Sequence, residues 1–98
     1  MIKTFRDDWL SDFFFENKDV TRIPEIPSSI ESALIRKLTY IHSATSTKDL
    51  MSPPANRFER LQGNLQGKCS IRVNSQYRLI FEWDKGKAIG VYLDPHKY

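Results

Sequence analysis

The 98-residue sequence predicts an α+β domain in which two N-terminal helices pack on one face of a mainly antiparallel sheet of four or five strands. Three observations carry this. Apolar residues recur at helical spacing only in the first half, period-two alternation is confined to the second half, and turn residues punctuate the second half at intervals short enough to make neighbouring strands antiparallel. A chain of this length holds one modest core, so the expectation is a single domain over residues 1–98 whose active site is a shallow cleft or an open face.

Ile2, Thr4 and Phe5 suit a short opening strand, and Asp7 or Asp8 can cap a helix running to about Asn17. In that helix Trp9, Leu10, Phe13 and Phe14 form an apolar stripe that reads as core, while Asp8, Asp12 and Glu16 fall on a solvated face. The segment from Lys18 to Pro27 is a loop. Ser28 and Glu31 then have the spacing of a capping box for a second helix, with Ile30, Ala33, Leu34, Leu38 and Ile41 buried and Glu31, Arg36 and Lys37 toward solvent. His42 ends that helix as a favourable C-terminal capping group.

Residues 43–56 have turn composition, and Pro53 and Pro54 exclude a continuous helix there. Strands are expected over Arg57 to Leu61, Lys68 to Asn74, Tyr77 to Trp83 and Lys87 to Leu93, the last two joined through Asp84, Lys85 and Gly86. Alternation sends Cys69, Ile71, Val73, Tyr77, Leu79, Phe81, Trp83, Ile89, Val91 and Leu93 to the core face. The opposite face then carries Lys68, Arg72, Asn74 and Arg78, with Arg57 or Glu59 from the preceding strand. That face is basic, partly acidic and uncovered.

Charge distribution agrees with this division. Residues 1–50 carry seven basic and eight acidic side chains, and residues 51–98 carry eight and four, so the net +3 is concentrated in the sheet half. Clustered arginines on a rigid sheet can clamp phosphates through paired hydrogen bonds; cross-strand ion pairs of Arg78 with Glu82 or Glu59 are the structural alternative. Cys69 is the only cysteine, which excludes an intrachain disulfide and a cysteine-rich zinc site, points to reducing cytoplasm, and reads as a buried small hydrophobe. No apolar run near Met1 is long enough for a secretion signal or a membrane span.

At the C-terminus Asp94, Pro95, His96, Lys97 and Tyr98 bring together groups that can move protons or stabilise charge. RNA cleavage without metal needs a base for the ribose 2′-hydroxyl, cations for the phosphate and an acid for the 5′ oxygen. His96, Arg78 with Lys68, and Tyr98 could fill those roles, with Lys97 a further cation. No cofactor or metal is implied, because His42, Cys69 and His96 are not spaced as ligands.

The segments SPPANRFERLQG (52–63), GKCSIRVNSQYRLIFEW (67–83) and VYLDPH (91–96), with the opening MIKTF, resemble the HigB branch of the RelE/ParE toxin superfamily over nearly the whole chain. The resemblance implies a RelE-like fold and a cytoplasmic toxin neutralised by a HigA-like helix-turn-helix antitoxin, through which it meets operator DNA. It also implies ribosome-dependent, metal-independent cleavage of mRNA by 2′-hydroxyl attack on a concave basic face. By matching motifs Arg78 is implied as a phosphate stabiliser and Asp94 with His96 as the terminal catalytic pair, His96 moving the proton. Arg57, Glu59 and Lys68 are implied as substrate-face positions, and a histidine near the Glu59 position in relatives makes Glu59 a competing general base. Pro95 stands where the family commonly has tyrosine, and Tyr98 or Tyr92 could substitute. A ParE-like gyrase inhibitor and a catalytically silent antitoxin-binding co-repressor are the alternatives.

Overall fold

The computed structural model describes residues 1–16 and 27–95, and the descriptions below refer to these. Helix α1 spans Asp8–Glu16 and α2 spans Glu31–Ser43; strands β1 Glu59–Arg60, β2 Lys68–Arg72, β3 Arg78–Asp84 and β4 Lys87–Asp94 form one antiparallel sheet in sequence order. The molecule is thus α+β, as the separation of the two periodicities predicts.

One buried cluster takes Leu10 and Phe13 from α1, Leu34, Leu38 and Ile41 from α2, and Cys69, Ile71, Leu79, Phe81, Val91 and Leu93 from the sheet. Removing these side chains from water is the main drive for the fold, at about 25 cal/mol for each Å² of apolar surface. Cys69 belongs to this cluster, and burial pushes its thiol pKa up to about 11. It behaves as the small hydrophobe its strand setting predicts.

The opening segment is not a regular strand. Ile2 and Phe5 make isolated parallel bridges to Ala88 and Val91, with the Lys3 and Arg6 N–H groups donating to the Ala88 and Val91 carbonyls. His42 holds this segment too. Its Nδ1 accepts the Ile2 N–H at 3.1 Å, so the imidazole ties the chain terminus to α2 instead of capping the helix end.

Entry into α2 also differs from the capping box expected at Ser28 and Glu31. The chain makes a 3₁₀ turn over Ser28–Ile30, and neither Pro27 nor Ile30, the residues that precede the two helical segments, caps with its side chain. A capping box does form at the next turn, Thr47–Met51, between Ser46 and Asp49. There the Asp49 carboxylate accepts the Thr45 and Ser46 N–H groups and the Thr45 hydroxyl, and the Thr45 bonds hold its pKa below the usual carboxylate value.

The alternation expected for β4 is corrected by a bulge. Ile80 pairs with Tyr92 but Glu82 pairs with Ile89, so Phe81 faces two residues, Gly90 and Val91. Gly90 has φ +65°, a left-handed conformation that glycine adopts without steric cost, and its N–H donates to Thr4 Oγ1 at 2.8 Å. The extra residue moves Ile89 off the core face, where uninterrupted alternation placed it, onto the face of Glu82. Beyond the bulge, Val91 and Leu93 point to the core and Tyr92 and Asp94 to the opposite face.

Candidate nucleic-acid interface

Strand register arranges that opposite face in three rows. The middle row runs Glu59, Ser70, Ile80, Tyr92 across all four strands. On one side lie Arg72, Arg78 and Asp94, and on the other Lys68, Glu82 and Ile89. Of the residues singled out in the sequence, Glu59, Lys68, Arg72, Arg78 and Asp94 therefore share one face. His96, Lys97 and Tyr98 lie outside the described residues.

This face is less open and less purely basic than alternation suggested. Its floor is closed: Ile80 is 0%, Ser70 3% and Tyr92 7% exposed. Lys68 extends over the Tyr92 ring with Nζ 5.4 Å from its centroid, and Arg6 covers the same ring with its guanidinium carbon at 3.9 Å. Arg6 is itself paired with Asp7 at 2.9 Å. Sequence reasoning missed Arg6 because only the parallel bridging of the opening segment to β4 brings it to this face.

Arg78 is held by a cross-strand ion pair. Its Nε donates to Asp94 Oδ2 at 3.1 Å, with side-chain exposures of 14% and 32%. The partner is thus Asp94, directly opposite on β4, and not the Glu82 or Glu59 considered from sequence. Using Nε for the aspartate leaves the guanidinium's terminal NH₂ groups as donors of the kind that bind phosphate oxygens in pairs. Arg72, opposite Arg78 on β2, bonds through Nε to the Asn74 carbonyl at 3.0 Å. Asn74 Oδ1 accepts the Gln76 and Tyr77 N–H groups, both at 2.8 Å, so this side chain shapes the β2–β3 turn.

At the sheet margin Arg57 adopts the left-handed conformation, φ 45° and ψ 53°, which costs a non-glycine residue about 1 kcal/mol. The preceding turn, Pro54–Asn56, is anchored from below. Asn56 is fully buried; its Oδ1 accepts Lys37 Nζ at 2.6 Å, and its Nδ2 donates to the Leu50 carbonyl at 3.2 Å. Lys37 is accordingly buried, contrary to its expected place on the solvent side of α2. Burial, with Arg36 beside it, lowers its pKa below the ordinary lysine value. Arg36, Lys37, Arg57, Arg72 and Asn74 line a cavity of about 320 Å³.

Among the described residues, no group of three His, Cys, Asp or Glu side chains is placed to hold a metal ion, and no helix is long and apolar enough to cross a membrane.

The fold matches a chain of the YoeB-YefM complex from Staphylococcus aureus, with a TM-score of 0.54 over 100% of this chain and 97% of that one; identity is 18%, so the likeness is one of architecture. The family model for the RelE-like toxin of the type II toxin–antitoxin system HigB matches residues 3–96. Toxin HigB-1 of Vibrio cholerae serotype O1 is 56% identical over 98 residues, the whole of both chains. An uncharacterized protein of Haemophilus influenzae is 42% identical over 94 residues, covering 96% of this chain and 90% of the other. The chain belongs to the HigB-like family, toxins of type II toxin–antitoxin systems.

Proposed function

We propose that the chain is a single-domain, cytoplasmic, ribosome-dependent mRNA endoribonuclease whose activity halts translation and is held in check by a HigA-like helix-turn-helix antitoxin, through which the pair reaches operator DNA. The observation that carries the reading is the Arg78–Asp94 pair, set in one row with Arg72 on a face that also holds Lys68 and Glu59. Membership of the HigB-like family supplies the biological setting.

In the proposed reaction the substrate's 2′-oxygen attacks the adjacent phosphorus and the bond to the 5′-oxygen breaks, leaving a 2′,3′-cyclic phosphate and a free 5′-hydroxyl. The nucleophile belongs to the substrate, so no metal-bound water is required. Arg78 stabilises the charge that builds on the phosphate, and Asp94 fixes its orientation so that little reorganisation accompanies the reaction. Lys68, Arg72, Arg57, Asn74 and Lys97 hold the strand. Glu59 at the exposed end of the middle row and His96 are the two candidates for taking the 2′-hydroxyl proton, with His96 or Tyr98 returning one to the leaving oxygen.

The test is mapping of mRNA 5′ ends in a translation reaction with purified toxin. Cuts at codon spacing are expected only when ribosomes are present, and Arg78→Ala should lose them. Intact mRNA together with inhibited gyrase supercoiling would replace this reading with a ParE-like one.

A further inference from the structure

The cavity beside β2 is lined by three arginines. Arg36 from α2, Arg57 from the chain just before β1 and Arg72 from the end of β2 line it, and among the described residues no acidic side chain does. Three separate elements therefore bring arginine residues to one concavity.

The concavity is also firmly built. Lys37 and Asn56 bond at 2.6 Å beneath it and fasten α2 to the turn that presents Arg57. Arg57 is kept in a left-handed backbone that a bulky side chain rarely adopts, as happens where surrounding structure holds a residue for a purpose other than local stability. Arg72 lies directly opposite Arg78, so the cavity adjoins the Arg78–Asp94 site along the same row.

We propose that this cavity is a second phosphate-binding site, in which Arg36, Arg57 and Arg72 grip a backbone phosphodiester of the RNA strand away from the phosphate held at Arg78. The identification of the strand as RNA rests on the nuclease reading above; the preference for a phosphate rests on the guanidinium cluster itself. Arg36 is the new participant. It lies outside the sheet, and only the fold brings it to Arg57 and Arg72. The site would fix the register of the strand, so that a chosen 2′-hydroxyl meets Arg78.

The experiment uses the full chain and a fluorescent single-stranded RNA bearing 2′-O-methyl groups, which cannot be cut by 2′-hydroxyl attack. Binding is measured across a salt series for the wild type, Arg36→Gln, Arg57→Asn and the surface control Lys48→Gln. Asparagine tolerates the left-handed backbone at position 57, and thermal denaturation checks that each variant folds. The expected result is about tenfold weaker binding for each arginine variant, in line with losing a hydrogen bond to a charged group. The slope of log affinity against log salt should also become shallower by roughly 0.7, the value for one phosphate contact on a single strand, with Lys48→Gln unchanged. Folded arginine variants with wild-type affinity and slope would overturn the proposal. So would unchanged RNA binding with weakened antitoxin binding, which would assign the cavity to a protein carboxylate. If the RNA results hold but the wild type leaves translated mRNA intact, the phosphate site stands and the nuclease reading falls.

Discussion

Replacing Asn56 with alanine tests how the buried interior supports the charged face. The side chain accepts Lys37 Nζ at 2.6 Å and donates to the Leu50 carbonyl at 3.2 Å, with a weaker contact to the Ser52 carbonyl at 3.4 Å. Removing it strands an ammonium group in a setting 5% exposed, a loss of about 1.5 to 3 kcal/mol for a bond to a charged group, and leaves the Leu50 carbonyl unpaired for roughly 1 kcal/mol more. The expected destabilisation is about 3 kcal/mol, which a urea titration reads as a midpoint lower by roughly 2 M for a domain with a slope near 1.5 kcal/mol per M. Two internal checks follow. Adding Lys37→Met to Asn56→Ala removes the stranded charge and should recover at least about 1 kcal/mol as a coupling term. The lowered Lys37 pKa also sets a sign: its contribution to stability is fully present above the ordinary lysine value and is lost as pH falls through the lowered one, so the Asn56→Ala deficit should shrink toward alkaline pH. A deficit below about 1 kcal/mol, or one that grows in alkali, would refute the description of this pair as the anchor of the turn.

Gly90→Ala should destabilise the domain by about 1 to 2 kcal/mol through the left-handed backbone alone, since a Cβ there meets no atom within 4 Å; chemical denaturation at neutral stability would contradict the bulge geometry. Cys69, with its thiol pKa raised to about 11, should resist iodoacetamide at pH 8 in the folded protein and react readily once urea unfolds it. Rapid alkylation of the native protein, followed by mass spectrometry, would show the thiol to be accessible after all. Asp94→Ala should leave Arg78 without its 3.1 Å partner and reduce cleavage at least tenfold while the protein stays folded, an outcome read from single-turnover cleavage beside a thermal melt.

Periodicity in the chain carried the α+β class, both helices and the order of the strands, because those features follow from which residues are apolar at which spacing. It carried part of the face as well: Lys68, Arg72 and Arg78 alternate with Cys69, Ile71 and Leu79 in uninterrupted strands, and the register leaves them together. What it could not carry depends on contacts between distant segments. Gly90 shifts the β4 alternation by one residue, and a glycine within a strand pattern hints at a bulge without fixing its register. Lys37 reads as solvent-facing by its charge, and its burial is explained only by Asn56, nineteen positions later. Arg6 joins the face because the opening segment bridges β4, and Arg36 joins Arg57 because α2 lies beside the turn before β1.

On the proposed reading, the role of Arg78, oriented by Asp94, is to stabilise the phosphate at which mRNA is cut on the ribosome. It is tested most directly by comparing wild type, Arg78→Ala and Arg78→Lys in a translation reaction with mapped mRNA ends. Lysine keeps the charge but loses the paired donors, so the wild type should cut at codon spacing, Arg78→Lys far more slowly and Arg78→Ala not at all, each with a wild-type melting profile. Full cleavage by a folded Arg78→Ala protein would contradict the account.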